Sequence, residues 1–183
     1  MIYLFLADGF EEIEALATVD VIRRAGLEVE TVGVTSQAVR GSHNITVMAD
    51  RFINEVEPNE ELQAVILPGG LPGTTNLEQS RELQHLLSYA YRHNRILAAI
   101  CAAPSILGHN GFLKGKTAIC YPGYEKDLLG AEIATTPVCR SGNIITAAGA
   151  GVSIDFGAEI VAAFCGREKA DLIKEKMRCT QPI

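Results

Sequence analysis

The chain alternates short apolar runs with longer segments of helical periodicity. Residues 1–7 form a continuous apolar run that ends at Asp8, and residues 64–67 and 96–100 are runs of the same kind. Such runs are typical of parallel strands that helices cover on both faces. Together with β-branched and alternating segments, they predict strands at 1–7, 28–34, 46–49, 64–67, 96–100 and 143–147.

The segments between these strands carry apolar residues at helical spacing. Residues 11–26 open with acidic side chains, close with two arginines before a glycine, and place Ile13, Leu16, Ala17 and Val21 on one predicted buried face. Further helices are predicted at 80–93, 103–110 and 152–164, whereas 114–142 is less periodic. Helices that alternate with buried strands predict an α/β fold, a doubly wound, mostly parallel sheet with helices on both faces. We expect one domain spanning 1–183.

Composition and charge narrow the class of protein. The 183 residues are 48% hydrophobic, which excludes a disordered chain, and the formal charge of 16 − 22 = −6 offers no basic surface for nucleic acid or an anionic membrane. The longest apolar run, 96–103, is less than half of the roughly 20 residues that span a bilayer. The first residues lack the positive region of a secretory signal. We therefore expect a cytoplasmic protein with neither nucleic acid nor membrane as a partner.

The cysteines indicate neither a disulfide framework nor a zinc site. They are odd in number and show no CxxC motif and no paired Cys/His spacing. No metal and no cofactor is expected, and most of the cysteines should behave as small buried hydrophobes. The five are Cys101, Cys120, Cys139, Cys165 and Cys179.

Cys101 is the residue most suggestive of chemistry. Open α/β sheets bind ligands beyond the carboxyl ends of their strands, and Cys101 ends a predicted strand just before a helix with Pro104 in its first turn. A thiol there faces the positive end of a helix dipole, which favours the thiolate, and the turn is like a nucleophile elbow without the G-x-S-x-G motif. The alternative is a small, inert residue at a tight junction.

Other candidates are ambiguous from the residues alone. The turn at 68–73 could present N–H groups to an oxyanion opposite Cys101, or be a plain turn. Glu14 borders the predicted buried face, either as a solvated carboxylate or as a group pointing at Cys101. The stretch 147–157 looks like a dinucleotide fingerprint but leaves no room for the second half of that fold. His43, His85, His93 and His109 are predicted to be surface or satisfied histidines.

Taken together, the motifs resemble the ThiJ/PfpI superfamily, in particular its deglycase branch. They occur in order over nearly the whole chain, as DGFEEIEA, VDVIRRAG, LPGG, AAICAAP, GAGVSIDF and GREKA. The resemblance implies a flavodoxin-like sandwich related to class I glutamine amidotransferases, with an oxidation-sensitive nucleophile at Cys101. It also implies that Glu14 is a protonated partner that shares its proton with the thiolate. Gly69 and Gly70 would lie over the cysteine, and the N–H of Ala102 would join them as an oxyanion donor.

Two departures from the family pattern bear on activity. Protease-like members carry His directly after the cysteine, where this chain has Ala102, so a peptidase would lack its general base. Many members also carry His where this chain has Tyr121, our secondary candidate residue. A phenol is a poor base near neutral pH, so acid–base work would fall on Glu14.

The resemblance implies a cysteine-dependent, cofactor-independent glyoxalase or deglycase, acting on methylglyoxal-type aldehydes and their early thiol or amine adducts. The alternative is an oxidative-stress sensor or redox-regulated chaperone in which Cys101 is oxidised without turnover. A third possibility is a member that keeps the fold without a working site. The family also implies a homodimer with the first helix near the interface.

Overall fold

The computed structural model describes residues 1–179, which form a seven-stranded sheet and two small two-stranded sheets. The strands are β1 (Ile2–Leu6), β2 (Val29–Gly33), β3 (Ala38–Arg40), β4 (Thr46–Met48), β5 (Arg51–Phe52), β6 (Ala64–Leu67), β7 (Ile96–Ile100), β8 (Thr117–Ala118), β9 (Glu132–Ile133), β10 (Val138–Ser141) and β11 (Ile144–Ala147). The large sheet has the order β10–β11–β7–β6–β1–β2–β5 and is parallel except for β10.

Six α-helices cover the two faces of this sheet in the described chain. They are α1 (Glu12–Arg24), α2 (Gly73–Gln79), α3 (Arg81–Arg92), α4 (Pro104–His109), α5 (Ser153–Cys165) and α6 (Arg167–Lys176). Successive strand side chains point to opposite faces, so Leu4 and Leu6 pack with α1, α5 and α6, whereas Phe5 packs with α2, α3 and α4. The predicted doubly wound, mostly parallel α/β fold is confirmed. The predicted domain runs to residue 183, and 180–183 lie outside the described residues.

The prediction of the buried face of α1 is wrong for most of the residues assigned to it. Val21 is buried, but Ile13 is 58% and Leu16 38% exposed, and Ala17 is half-buried. The face that meets the rest of the protein carries Glu12, Glu14, Ala15, Thr18, Val19, Val21 and Ile22. This helix has apolar residues on two sides, and periodicity does not say which side meets the sheet.

Several elements have little signature in the sequence. The strand β10 lies in the segment 114–142 of weak periodicity and pairs with β11 at the edge of the large sheet. The predicted strand at 46–49 exists as β4, but it pairs with β3 outside the large sheet. The last helix, α6, lies beyond the helices predicted from the sequence. Within residues 1–179, no helix is long and apolar enough to cross a membrane.

Candidate active site

The candidate site lies at the carboxyl ends of three neighbouring strands. Cys101 follows β7, Gly69 and Gly70 follow β6, and the turn leading to Glu14 follows β1. These strands are adjacent and parallel in the order β7–β6–β1, so their carboxyl ends share one edge of the sheet. Residues up to 87 positions apart in sequence thus meet at the edge where such sheets bind ligands.

Cys101 occupies a sharp turn between β7 and α4. Its φ angle is +65°, in the left-handed region that non-glycine residues rarely adopt. Its N–H donates to the carbonyl of Ala147 at 2.9 Å, and its own carbonyl accepts from the N–H of Tyr121 at 2.7 Å. The predicted turn is therefore present, and backbone bonds to two neighbouring segments hold it. The thiol is only partly buried.

Glu14 points into the protein beside this thiol. The residue is 1% exposed, and its Oε2 accepts a hydrogen bond from the N–H of Gly69 at 2.7 Å. Its other oxygen, Oε1, is buried without a partner of hydrogen-bond geometry among the described residues. An unpaired, buried carboxylate oxygen is costly, which favours a protonated carboxyl able to donate towards Cys101. Of the two alternatives left open for Glu14, the structure selects the buried one.

The two side chains form a coupled pair of acids. Burial raises the pKa of Glu14 to about 7, although the Gly69 N–H and the Cys101 thiol act to lower it. Burial and then the charge of Glu14 raise the pKa of Cys101 to about 12. A carboxylate and a thiolate in contact repel each other, so the two groups do not readily ionise together. Above neutral pH the pair therefore holds one shared proton. Beside an ionised Glu14, burial and the Glu14 charge oppose the effect of the short helix α4, which favours the thiolate.

The glycine turn after β6 packs directly on this pair. A Cβ on Gly69 would lie 2.7 Å from the Cβ of Cys101 and 2.8 Å from Oε2 of Glu14. The N–H groups of Gly70 and Ala102 interact with the sulfur and lower the pKa of Cys101. The N–H of Gly69 is occupied by Glu14, so the predicted set of oxyanion donors is reduced to Gly70 and Ala102.

Tyr121 flanks the elbow and is about half exposed to solvent. Its backbone bonds to Cys101, the residue is 51% exposed, and its ring edge lies 3.4 Å from where a Cβ on Gly149 would be. Tyr121 therefore shapes one side of the site.

Glu11 also contributes to the site, although no sequence signal singled it out. Its Oε2 accepts from the N–H of Glu14 at 2.7 Å and caps α1, and its charge helps to raise the pKa of Glu14. An acidic residue three positions before Glu14 is a weak capping signal, because Glu is not among the preferred N-cap residues.

The four histidines are surface or satisfied, as predicted. Nδ1 of His43 lies 3.0 Å from Glu12, His93 stacks on Tyr89, and His109 bonds to Glu78, while His85 is exposed. None of them is among the groups that shift the pKa of Cys101.

One group of described residues has the donor types of a metal site. Ligand atoms of Glu11, Glu12 and His43 lie within 4.8 Å of one another. However, the Glu12 carboxylate already accepts from the N–H groups of His43 at 2.8 Å and Ile45 at 3.4 Å. These bonds explain its burial as an anchor for the loop 41–45, and we assign no metal to it.

Fold and site together define a flavodoxin-like α/β protein with a cysteine at a strand-to-helix elbow beside a buried acid. The sequence profile of the DJ-1/PfpI family matches residues 1–163, and the chain belongs to this family. The resemblance inferred from the motifs is thereby confirmed.

Known relatives are similar over nearly the whole chain. Protein dj-1beta of Drosophila melanogaster is 32% identical over 169 residues, covering 91% of this chain and 90% of the relative. The glutathione-independent glyoxalase DJR-1.2 of Caenorhabditis elegans is 29% identical over 162 residues, covering 88% and 86%. The structure of oxidized DJ-1 from Toxoplasma gondii superimposes with a TM-score of 0.92 at 31% identity, covering 97% of each chain.

Proposed function

We propose that this protein is a cysteine-dependent, cofactor-independent glyoxalase and deglycase. Its substrates would be methylglyoxal-type aldehydes and their early thiol or amine adducts. The observation that carries the proposal is the buried Glu14, with a pKa of about 7, in contact with Cys101. A carboxyl group titrating near the working pH is suited to both giving and taking a proton. The name of the nematode relative, a glutathione-independent glyoxalase, supports the same reaction.

In the first step, the thiolate of Cys101 attacks the aldehyde carbon. The carbonyl oxygen becomes negatively charged next to the N–H groups of Gly70 and Ala102, which interact with the sulfur in the free protein. Glu14 then gives the shared proton to this oxygen, which yields a hemithioacetal. If the aldehyde arrives as an adduct, the Cys101 thiolate displaces the thiol or amine from the carbon, and this leaving group takes the shared proton from Glu14 in place of the carbonyl oxygen.

In the second step, the Glu14 carboxylate moves a proton between the two carbons. It removes the proton from the former aldehyde carbon and returns it to the neighbouring carbon, while the hydroxyl proton passes from the oxygen of the first carbon to that of the second. The hemithioacetal thereby becomes a thioester of a 2-hydroxy acid. Water hydrolyses this thioester and restores the thiol. The sum is methylglyoxal plus water giving lactate, with no net oxidation and no cofactor.

Replacing Cys101 by Ser should remove this activity. Lactate would be measured from methylglyoxal without glutathione, and we expect the Cys101→Ser rate to fall at least about 100-fold because the hydroxyl is a far weaker nucleophile. The control is Cys165→Ser, since Cys165 is an exposed thiol at the end of α5. It should keep the wild-type rate. Equal lactate production by wild type and Cys101→Ser would contradict the proposal.

Oxidation sensing is the second candidate function, and one observation favours it. The N–H groups of Gly70 and Ala102 beside the sulfur could equally donate hydrogen bonds to the oxygens of a sulfinate. Treatment with peroxide followed by mass spectrometry would test this. Selective conversion of Cys101 without any aldehyde turnover would favour the sensor, whereas uniform oxidation of all five cysteines would exclude it.

We also propose a homodimer that covers the exposed face of α1. Ile13 and Ala17 of this face line a cavity of about 380 Å³ together with Ile154 of α5. Ile13 is the most exposed of these apolar side chains, as expected for a residue at an interface.

A charge on this face should separate the protomers. Burying an unpaired carboxylate in an apolar interface is costly, so Ile13→Glu is expected to elute as a monomer where the wild type elutes as a dimer, measured by light scattering after gel filtration. Leu172→Glu is the control, because Leu172 is also a large apolar residue that is exposed, but it lies on α6. A dimer in both variants would place the interface elsewhere.

We propose that the protein works in the cytoplasm. The five cysteines are free thiols, and the mechanism requires the reduced form of Cys101, which a reducing compartment maintains.

A further inference from the structure

An ion bridge outside the catalytic pair joins three elements through one histidine. Nδ1 of His109, at the end of α4, lies 2.6 Å from Oε1 of Glu78 in α2. Its Nε2 lies 3.6 Å from Oδ1 of Asp127, in the short 3₁₀ turn Glu125–Asp127. A protonated imidazole can donate from both nitrogens, whereas the neutral ring can donate from only one. The complete bridge therefore requires the imidazolium.

Two of the elements that this bridge joins, α2 and α4, are hydrogen-bonded to the residues that carry the proposed oxyanion donors. In α2, both the N–H and the hydroxyl of Thr74 donate to the carbonyl of Gly70 at 2.9 Å. In α4, the hydroxyl and the N–H of Ser105 donate to the carbonyl of Ala102 at 2.7 and 3.1 Å. The helices that carry Glu78 and His109 are thus hydrogen-bonded at their first turns to the two residues whose N–H groups meet the sulfur.

The third element, the turn at 125–127, is connected to Cys101 itself through backbone hydrogen bonds. Asp127 N–H donates to the carbonyl of Tyr124 at 2.9 Å, and Tyr124 N–H donates to that of Tyr121 at 3.1 Å. Tyr121 in turn donates to the carbonyl of Cys101. A shift of the turn at 125–127 would therefore be passed to the elbow through consecutive backbone bonds.

The elements around the bridge are closely packed. A Cβ on Gly108 would overlap the carbonyl oxygen of Asp127, so α4 and the turn are in direct backbone contact beside His109. On the side of α3, the neighbouring Asn110 donates to the neutral Gln84 at 2.8 Å. The charged partners of His109 are therefore Glu78 and Asp127, one from each of the other two elements in the bridge.

The charge of His109 depends on these two carboxylates. The hydrogen bond to Glu78 is the largest cause that raises the pKa of His109 above its ordinary value, and Asp127 adds to it, against a smaller opposing effect of burial. A histidine with a raised pKa stays protonated further into the neutral range, so the bridge is complete at lower pH. It opens as the pH rises through the raised value.

We propose that His109 is a positioning residue for the Cys101 site: its imidazolium holds α2, α4 and the 125–127 turn together, and loss of its proton slows the reaction of the thiol. The effect of His109 on turnover rests on the proposed function. Its effect on the rate at which Cys101 reacts with an alkylating reagent is independent of that function.

Three variants test the role of this charge. His109→Arg keeps a permanent cation that can bond to two carboxylates, His109→Gln removes the charge, and His85→Gln is the control at an exposed histidine of α3. The readouts are kcat and KM for lactate formation, and the rate of Cys101 alkylation by iodoacetamide, from about pH 6 to about pH 9. Each rate is divided by the wild-type rate at the same pH, so that the titrations of Glu14 and Cys101 cancel.

We expect opposite trends for the two His109 variants. The rate of His109→Arg divided by the wild-type rate should be near one at low pH. It should rise to about five at high pH, where the wild type has lost its bridge. The rate of His109→Gln divided by the wild-type rate should be about one fifth at low pH and approach one at high pH. For lactate formation, the change should appear in kcat rather than in KM. His85→Gln should follow the wild type throughout.

The proposal is overturned if both His109 variants match the wild type at every pH, or if both ratios stay equally low and flat. An absence of lactate from the wild type would count against the proposed function alone. The alkylation ratios would still decide the role of His109.

Discussion

Glu14→Gln is expected to abolish turnover and, above neutral pH, to stabilise the fold. The amide keeps the size of the side chain and an oxygen for the N–H of Gly69, but it cannot carry the proton that the mechanism moves. Loss of a general acid–base group should lower lactate formation at least about 100-fold, while Cys101 remains open to alkylation.

The gain in stability follows from the direction of the Glu14 shift. Folding raises the pKa of this carboxyl from 4.5 to about 7, so between these pH values the folded chain binds more protons than the unfolded chain. The free energy of unfolding of the wild type therefore falls as the pH rises through this window, by an amount on the order of 3 kcal/mol. Gln does not titrate, so the variant should lack this decline.

Urea denaturation at about pH 4.5 and about pH 8 would measure the effect. The matched control is Glu57→Gln, because Glu57 is an exposed carboxylate in a loop. It should keep both the wild-type activity and the wild-type dependence of stability on pH. If Glu14→Gln retained full turnover, Glu14 would not be the acid–base group of the reaction.

Gly69→Ala is expected to disable the site by crowding alone. The added methyl would lie 2.7 Å from the Cβ of Cys101 and 2.8 Å from Oε2 of Glu14, closer than van der Waals contact allows. The turn or the two side chains must move, which should cost about 1–3 kcal/mol of stability. Because a displacement of about 1 Å can cost about 100-fold in rate, lactate formation should fall by at least that factor.

Gly151→Ala is the control for this substitution. Gly151 has no positive φ, and a Cβ there would meet no atom within 4 Å. Its kcat and melting temperature should match the wild type. Wild-type kcat in Gly69→Ala would show that the contact between this turn and the cysteine is looser than the structure indicates.

Local sequence signals determined most of the secondary structure and located the elbow. The strands β6 and β7 were predicted with their observed bounds, because continuous apolar runs ended by turn residues leave few alternatives. Cys101 could be singled out for a related reason, since a small residue between a buried strand and a helix with proline in its first turn marks a strand-to-helix turn. The family motifs added the expectation that Glu14 is its partner.

The tertiary structure decided which face of α1 is buried, how the acids are coupled and where the N–H groups point. Glu14 is buried because α1 turns that side inward, away from the apolar Ile13, and hydrophobic periodicity alone selected the other face. The pKa values of Glu14 and Cys101 depend on burial and on contact between residues 87 positions apart in the chain. Likewise, Gly69 and Gly70 are neighbours in sequence, yet one N–H binds Glu14 and the other meets the sulfur. Such differences arise from long-range packing, which a local pattern of residue types does not encode.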